Sequence, residues 1–366
     1  MARFSDVLTI INGKNQSKVE NPHGKYPIYG SGGIMGYADD YICEAQTVII
    51  GRKGNINKPI FVETPFWNVD TAFGLCAQKD ILHPKYLYYF CEHFDFEKLN
   101  TTVTIPSLTK ANLLDIEIDV PSMECQKGIV FRLDKIETII MLRKQQLAKL
   151  DELVKSRFIE LFGDPEHNEK AIQALPMTEL CEIIDGDRGA NYPKQEEFSD
   201  NGFCLFLNAK NVTTNGFSFE NCMFITAEKD KLLRKGKLSR GDVVLTTRGT
   251  IGNLAFYNGA VPYEHIRINS GMVILRMKRE RITERFFIEQ FKMQLASIKE
   301  KIASGSAQPQ LPISTMNKIV MLVPDVELQH QFASFVEQTD KSKLAIQKSL
   351  EKLETLKKAL MQKYFG

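Results

Sequence analysis

The sequence predicts a mixed α/β (α+β) fold with an internal pseudo-two-fold repeat, in which two globular domains are separated by two long antiparallel coiled-coil helices. Three observations predict this fold. The chain has 366 residues, which favours two or more domains over a single hydrophobic core. A segment of the first half recurs in the second half. Each copy joins an apolar strand to a long run of apolar residues at helical spacing.

The repeat extends without a gap over residues 105–163 and 308–366, at one constant offset. The identical pairs include Pro106 and Pro309, Pro121 and Pro324, Glu124 and Glu327, Gln126 and Gln329, and Phe162 and Phe365. Ungapped identity over this length indicates a duplicated structural unit.

Each copy begins with an apolar segment, "DIEIDVP" or "KIVMLVP", that is typical of a strand. Proline ends the strand, in "VPSMECQ" and again in "VPDVELQ". Glu124 and Glu327 follow, at positions where the first turn of a helix favours negative charge. Helices are therefore predicted over about 126–162 and 329–365.

The two predicted helices carry apolar residues at steps of three and four, as the seam of a coiled coil requires. We expect the helices to pair through Ile136, Ile140, Leu147, Leu150, Val154, Ile346, Leu350, Leu353 and Leu360. Arg143, Lys343 and Lys357 also occupy seam positions, so the pairing is better defined than its register. Two separate surface helices, each lying on its own globular core, remain the alternative interpretation.

Upstream of this segment the two halves resemble each other more weakly. "VIIGRKGNI" at 48–56 is similar to "VVLTTRGTI" at 243–251, and we match Arg52 with Arg248. Residues 1 to about 43 and about 177 to 238 show no repeat. The sequence therefore predicts a globular domain over 1–125, a long helix over 126–163, a second globular domain over 164–328 and a second long helix over 329–366.

In both halves a strand is followed by a basic, glycine-rich turn. Glycine lets the backbone approach a ligand closely, and Arg, Lys and Asn side chains contact phosphates or base edges. The candidate nucleic-acid-binding residues in these turns are Arg52, Lys53, Asn55, Asn57, Lys58, Thr246, Thr247, Arg248 and Asn253. A hairpin with solvated charges is the alternative, and the recurrence of the turn in both halves favours binding.

Three other segments supply further candidate DNA-binding residues. Tyr29 and Ser31 lie in "YGSGGIMGY", which lacks the Gly-Lys-Ser/Thr ending of a nucleotide-binding P-loop. Ser306 and Gln308 lie in "ASGSAQPQLP", which is read as a loop between a helix and a strand. Lys210 is the remaining candidate.

Composition and motifs argue against several other classes of protein. The net charge is only +2, so nucleic-acid binding depends on local patches rather than on bulk charge. The cysteines show no zinc or disulfide spacing, and no apolar run has the length of a signal peptide core or a membrane span. We therefore expect a cytoplasmic protein with reduced thiols and no contact with a membrane.

No catalytic or metal-binding residue is predicted. The six histidines show no metal-binding spacing, and no Gly-x-Ser-x-Gly nucleophile motif is present. The Asn/Asp-Pro-Pro-aromatic loop of an amino-methyltransferase and the PD…(D/E)xK pattern of a metal-dependent nuclease are also missing from the sequence.

These residues together resemble the specificity subunit of type I restriction–modification systems, over essentially the whole chain. The resemblance rests on the duplicated half, the "VP…E.Q" turn before each long helix, and the strings "ELFGDP", "GSAQPQLP" and "GDVVLTTRGTIG". It implies two target recognition domains, each reading one half of a split double-stranded DNA sequence, with two antiparallel helices that set the distance between the half-sites.

The resemblance also implies partners and cofactors. A specificity subunit is not itself catalytic and binds no cofactor. It recruits two modification subunits, which use S-adenosylmethionine to methylate adenine, and restriction subunits, which use ATP and Mg²⁺. A coiled-coil scaffold whose globular ends bind protein is the alternative function, and a stand-alone modification enzyme is a third.

Overall fold

A computed structural model describes residues 1–99, 107–303 and 310–366 of the chain. The chain divides into two compact units. Unit 1 comprises Met1–Gln146 and Ile346–Gly366, and unit 2 comprises Leu147–Ala345. The sequence predicts four segments, 1–125, 126–163, 164–328 and 329–366, whose boundaries lie at the ends of the long helices. The two units are divided within those helices, and the four-segment division stays a prediction.

The strands of unit 1 are β1 (Ala2–Arg3), β2 (Leu8–Asn12), β3 (Tyr26–Gly30), β4 (Gly33–Ala38), β5 (Thr47–Gly51), β6 (Ile60–Val62), β7 (Trp67–Asn68), β8 (Ala72–Ala77) and β9 (Glu117–Ile118). Its shorter helices are α1 (Phe4–Val7), α2 (Pro84–His93) and α3 (Lys110–Leu114), with a 3-10 helix at Phe96–Leu99. The first long helix, α4 (Met123–Phe162), begins in unit 1 and ends in unit 2.

The strands of unit 2 are β10 (Ala174–Pro176), β11 (Cys181–Asp185), β12 (Cys204–Leu207), β13 (Val212–Thr213), β14 (Gly216–Phe217), β15 (Phe224–Ile225), β16 (Val243–Thr246), β17 (Leu254–Phe256), β18 (Ile266–Ile268), β19 (Met272–Met277) and β20 (Val320–Leu322). Its helices are α5 (Met177–Leu180), α6 (Ala227–Leu232), α7 (Glu284–Ala303) and α8 (Ile313–Met316), with 3-10 helices at Gln195–Glu197 and Ala209–Asn211. The second long helix, α9 (Val326–Phe365), begins in unit 2 and ends in unit 1.

The two units repeat one sheet topology. Unit 1 has a four-stranded antiparallel sheet in the order β2-β8-β5-β6, and unit 2 has β11-β19-β16-β17 in the same places. A second sheet in each unit contains one parallel pair, β3 with β7 or β12 with β18. The predicted mixed α/β fold with an internal repeat and two long helices is confirmed.

The repeat begins earlier than the sequence predicts. Residues 2–12 fold as strand, short helix and strand, and residues 174–185 repeat that order. The expectation that 1 to about 43 and 177 to 238 are unrepeated is therefore wrong for these elements. Such short elements require only apolar residues at the positions that face the core. The two copies can therefore lose sequence identity and still keep the same spacing of buried apolar residues. Phe4 and Val7 in the first copy, and Met177 and Leu180 in the second, are all buried.

In unit 1, the first part of α4 packs against the last part of α9. Apolar side chains of both helices enter one core with the aromatic side chains of α2. Beside that core, Glu137 Oε1 lies 2.7 Å from Lys357 Nζ. Further along, Lys144 Nζ lies 3.4 Å from Glu354 Oε1. Residue numbers rise along α4 as they fall along α9, so the two helices run antiparallel in this unit.

In unit 2, the last part of α4 packs against the first part of α9 with the same polarity. Lys343 Nζ lies 2.6 Å from Asp151 Oδ1. The rings of Phe158 and Phe332 meet edge to face, with centroids 5.5 Å apart. Both phenylalanines are fully buried in the core of the unit, together with Phe286 of α7.

The residues expected to pair the long helices are shielded to different degrees. Ile136, Val154 and Leu350 are buried. The half-buried ones are Ile140, Leu147, Leu150, Ile346, Leu353 and Leu360. The lysines at seam positions take part in the ion pairs above, and Lys357 Nζ also lies 2.7 Å from Glu92 Oε1. Arg143 differs, because its Nε is buried without a hydrogen-bond partner among the described residues.

A buried glutamine attaches each long helix to its own globular unit. In unit 1, the Gln126 side chain is 0% exposed and makes three hydrogen bonds to the backbone. Its Oε1 accepts from His83 N at 2.8 Å. Its Nε2 donates to Ile81 O at 2.9 Å and to Pro121 O at 2.8 Å. The side chain thus ties the turn before α2 to the end of the strand segment and to the first turn of α4.

Unit 2 repeats this arrangement atom for atom. Gln329 is also 0% exposed, and its Oε1 accepts from Thr283 N at 2.8 Å. Its Nε2 donates to Arg281 O at 2.9 Å and to Pro324 O at 2.8 Å. The repeated proline and glutamine of the two turns are therefore partners in one hydrogen bond.

The long helices begin three residues earlier than expected. The sequence predicts starts at about Gln126 and Gln329, whereas α4 begins at Met123 and α9 at Val326. The backbone N–H of each glutamine already donates four residues back, from Gln126 N to Ser122 O at 3.0 Å and from Gln329 N to Asp325 O at 3.1 Å. The turn that follows each proline is therefore already helical.

Among the described helices, none combines the length and the low charge that a membrane span requires.

We predict that Gln126→Ala and Gln329→Ala each lower the free energy of unfolding by about 3 kcal/mol, because each change removes three hydrogen bonds to buried or partly buried backbone groups. Urea denaturation of the purified protein measures the loss. Gln145→Ala, at an exposed position of α4, is the matched control and should change the free energy by less than about 0.5 kcal/mol. An equal, small effect of all three substitutions would contradict the role of the buried glutamines.

Candidate nucleic-acid interface

The first candidate loop follows β5 in unit 1. Gly51 ends the strand, and the chain returns to the core at Ile56, which is buried. The loop is held by its backbone at two places. Arg52 N donates to Thr71 O at 2.8 Å, and Leu108 N donates to Arg52 O at 2.9 Å.

The second candidate loop follows β16 in unit 2 and is held in the same way. Thr247 N donates to Gly271 O at 2.8 Å, and Leu311 N donates to Thr247 O at 2.9 Å. Ile251 returns to the core at the place that Ile56 takes in unit 1. The backbone of Thr247 therefore makes the hydrogen bonds that the backbone of Arg52 makes.

These hydrogen bonds correct the match made from the sequence. Lys53 forms an isolated β-bridge with Ser107, and Arg248 forms one with Gln310. Lys53 is thus the structural equivalent of Arg248, and the expected match of Arg52 with Arg248 is wrong by one position. The backbone pairing fixes the register, whereas the sequence comparison aligned the two arginines because their side chains are alike.

A glycine in the left-handed region follows the basic residue in both loops. Gly54 has φ +77° and Gly249 has φ +70°. A Cβ at either position would meet nothing within 4 Å, so the backbone conformation rather than space requires glycine there. The residue before each glycine, Lys53 or Arg248, is exposed.

Of the unit 1 candidates in this loop, most have exposed side chains. Arg52, Lys53, Asn55 and Lys58 are exposed. Asn57 is exposed as well, but its amide is in use within the unit. Its Nδ2 donates to Asp95 Oδ1 at 2.9 Å, and its Oδ1 accepts from Phe96 N at 2.8 Å.

Of the unit 2 candidates, three side chains hold the loop together. Thr246 and Thr247 are buried. Thr246 Oγ1 accepts from Asn253 N at 3.0 Å, and Thr247 Oγ1 donates to Gly271 O at 3.0 Å. Asn253 is half-buried, and its Nδ2 donates to Val212 O at 2.9 Å. Of these four candidates, Arg248 is the one whose side chain is exposed to solvent and available to a ligand.

The remaining candidates lie outside the two loops. Tyr29 is half-buried on β3, with its ring edge to face against Phe66 at 5.4 Å, and burial raises the pKa of its hydroxyl. Ser31 is half-buried in the turn after β3. Lys210 is exposed in a short turn that Asn208 caps. Ser306 and Gln308 lie outside the described residues.

Sequence reasoning missed the basic residues near Arg248. Arg188, Arg234 and Lys235 are exposed on two neighbouring turns. The buried carboxylate of Asp187 joins these turns, because it accepts from Arg234 N and from Gly189 N, both at 2.7 Å. Burial raises the pKa of Asp187, but the backbone N–H donors outweigh burial and hold that pKa below its ordinary value.

Arg188 connects this cluster to the loop after β16. Its Nη2 donates to Ser270 O at 3.4 Å. A Cβ on the next residue, Gly271, would lie 3.8 Å from Arg248 Cβ. The signal in the sequence was "DGDRG", an Asp-Gly turn pattern that carries an arginine, within a segment considered unrepeated.

The arrangement provides guanidinium, ammonium and amide groups on loops at one end of the four-stranded sheet of each unit. Such groups donate hydrogen bonds to phosphate oxygens, and Arg or Lys also donates to the O6 and N7 atoms of guanine. The described part of the chain contains no group of three His, Cys, Asp or Glu side chains arranged to hold a metal ion.

Comparison with known proteins identifies the family. A family model described as the type I restriction modification DNA specificity domain matches residues 1–152 and again residues 171–358. The two matches cover most of the chain and coincide with the repeat of sheet topology.

Two curated relatives carry the same description. The type I restriction enzyme MjaIX specificity subunit of Methanocaldococcus jannaschii is 23% identical over 335 residues, which cover 87% of this chain and 76% of that protein. The putative type I restriction enzyme specificity subunit S.HindORF215P of Haemophilus influenzae is 21% identical, over 92% of this chain and 88% of that protein.

Solved structures show the same fold. The crystal structure of a type I restriction-modification S subunit from M. genitalium superimposes with a TM-score of 0.64, at 18% identity, over 100% of this chain and 95% of that chain. A chain from a structural study of complex assembly and conformational transition of the type I R-M system gives a TM-score of 0.57, at 15% identity, over 100% of this chain and 96% of that chain. With its repeated domain match and its fold, this chain belongs to the family of type I restriction–modification specificity subunits.

Proposed function

We propose that the chain reads a bipartite double-stranded DNA sequence, each unit contacting one half-site through the loop after β5 or β16. One observation carries this proposal: the same loop is built twice, with an exposed cation, Lys53 or Arg248, before a left-handed glycine. Matching loops on two copies of one domain suit two similar targets. A protein with one continuous target would have no need to keep the loop in both copies.

The surrounding groups support the same proposal. Arg52 lies beside Lys53, and Arg188 lies close to Arg248, so each loop offers more than one cation. The formal net charge of the chain is only +2, so these local groups supply the attraction for phosphates. Lys58, Asn55, Lys210, Tyr29 and Ser31 are further proposed contacts, as are Ser306 and Gln308. Thr246, Thr247, Asn253 and Asn57 are proposed to act by shaping the loops.

Substitution of the two equivalent cations tests the proposal. We predict that Lys53→Ala and Arg248→Ala each weaken binding to cognate duplex by about 1–3 kcal/mol, because each removes a contact to phosphate or to a base edge. Fluorescence anisotropy of the complex with its modification subunits measures the affinity. Each variant should also tolerate base changes in one half-site only.

Lys79→Ala is the matched control. Lys79 is an exposed lysine of unit 1 that follows β8, at the end of the sheet opposite the loop. The Lys79→Ala variant should bind the cognate duplex with the same affinity as the unchanged protein. Unaltered affinity in both loop variants would rule out the assignment of these loops to DNA.

The long helices are proposed to set the spacing of the half-sites. Each has 40 residues, and at about 1.5 Å per residue it rises roughly 60 Å. One turn of DNA covers about 35 Å, so half-sites read on one face of the duplex, with centres about 10 to 13 base pairs apart, fit within the length of the helices, and we expect that spacing.

Shortening both helices tests this role. Deletion of 141–147 together with 347–353 removes one heptad from each helix and keeps the ion pairs Glu137–Lys357 and Asp151–Lys343 on either side. The loss of about 10 Å per helix should shorten the preferred spacer by about 3 base pairs, or abolish binding. Binding to duplexes whose spacer is varied one base pair at a time measures the shift. An unchanged spacer would contradict this role.

The proposed partners are two modification subunits, which use S-adenosylmethionine, and restriction subunits, which use ATP and Mg²⁺, in the cytoplasm. The chain itself is proposed to have no catalytic role and to bind no cofactor. Exposed apolar side chains on the long helices support a docking surface for protein. They are Phe131, Ile139, Met141, Leu142, Leu153, Ile159, Leu344 and Leu356.

A further inference from the structure

The hairpin formed by β3 and β4 leaves large parts of three apolar side chains exposed to solvent. Ile34 is 55% exposed, Met35 is 62% exposed and Tyr37 is 45% exposed. Such a cluster on a short hairpin is costly in water unless it serves a contact. Binding of DNA by the loops after β5 and β16 does not use these side chains.

A β-bulge places the two most exposed residues side by side. Ile28 pairs with Gly36 and Tyr29 pairs with Ile34, so Met35 is the extra residue on β4. Successive residues of a regular strand point to opposite faces, and a bulge changes that alternation. Ile34 and Met35 are consequently both solvent-exposed although they are consecutive.

The hairpin lies against the candidate DNA-binding loop of unit 1. A Cβ on Gly51, where β5 ends, would lie 3.0 Å from Ser31 Cβ in the hairpin turn. A Cβ on Gly32 of the same turn would lie 4.0 Å from Asn55 Nδ2 in the loop. The exposed apolar pair therefore lies on β4, directly after a turn that touches the loop bearing Arg52 and Lys53.

We propose that Ile34 and Met35 form an apolar wedge that enters between two adjacent base pairs of the DNA half-site read by unit 1. This inference rests on the proposed function. Isoleucine and methionine are among the side chains that unstack base steps, and the cost of unstacking is a few kcal/mol that neighbouring contacts must offset. Arg52 and Lys53 supply those contacts, because both are exposed on the adjoining loop and attract the phosphates on either side of an opened step.

Unit 2 has no such wedge among its described residues at the corresponding strand end. Its strand β12 corresponds to β3, since each forms the parallel pair of its sheet. The turn after β12 instead presents Asn208 and the exposed Lys210. The wedge is therefore expected to distort the DNA in one half-site only. Contacts that both units make would affect both half-sites, so a distortion in one half-site distinguishes the wedge from those contacts.

The test uses the complex with its modification subunits and a cognate duplex that carries 2-aminopurine at successive positions of each half-site. The adenines that are methylated and their direct neighbours are left unlabelled, because methyltransferases flip the base on which they act. The unchanged complex should raise the fluorescence at one step of one half-site. The double variant Ile34→Ser, Met35→Ser should lose this rise, and Met35→Leu should keep it. Ile81→Ser, at an apolar residue of unit 1 that is 45% exposed, is the control and should leave the rise intact.

The outcomes separate the wedge from the proposed function. Specific binding of the unchanged complex without any rise overturns the wedge and leaves DNA reading standing. A rise that persists in the double variant, or equal rises in both half-sites, also overturns it. If the double variant loses the modification subunits, the apolar pair serves a protein contact and the wedge is wrong. A complex that binds no DNA selectively would defeat the proposed function itself.

Discussion

The attachment of each long helix to its globular unit depends on one buried glutamine side chain. Gln126 and Gln329 each bond two backbone carbonyls and one backbone N–H at buried or partly buried positions. An unsatisfied buried polar group costs about 1–3 kcal/mol, so no apolar residue of similar size can take this place. The same three bonds in both halves fix the direction in which α4 and α9 leave the units. The "VP…E.Q" pattern recurs in the sequence because this hydrogen-bonded turn needs the proline and the glutamine in both halves.

The antiparallel pairing of the helices within each unit tolerates charge at its seam. Lys357 is half-buried among aromatic and acidic side chains. Burial alone would lower the pKa of Lys357, but the carboxylates of Glu137 and Glu92 raise it more, so the ammonium stays charged. Lys343 is placed similarly beside Asp151. These polar pairs restrict which residues can face each other, and a seam of leucine alone would allow several registers.

Much of the fold could be predicted from the sequence, because its signals are local. The proline, the acidic first turn and the steps of three and four residues predict two strands followed by two long helices. The first short helix of each unit was missed as a repeat, since Phe4 and Met177 fill the same buried position with different side chains. The candidate site was predicted less well, because burial of Thr246 and Thr247 and the equivalence of Lys53 with Arg248 depend on hydrogen bonds to strands distant in sequence. The bulge at Met35 likewise arises from pairing with β3 and has no local signal.

We propose that the two units of one chain read two separate halves of one DNA site. Methylome sequencing of a host that has this chain and its modification subunits, and no other methyltransferase, tests it most directly. We expect methylated adenine in a single motif of two short specified parts, separated by a fixed stretch of unspecified bases. A continuous motif with no unspecified stretch, or methylation unchanged when this chain is absent, would contradict it.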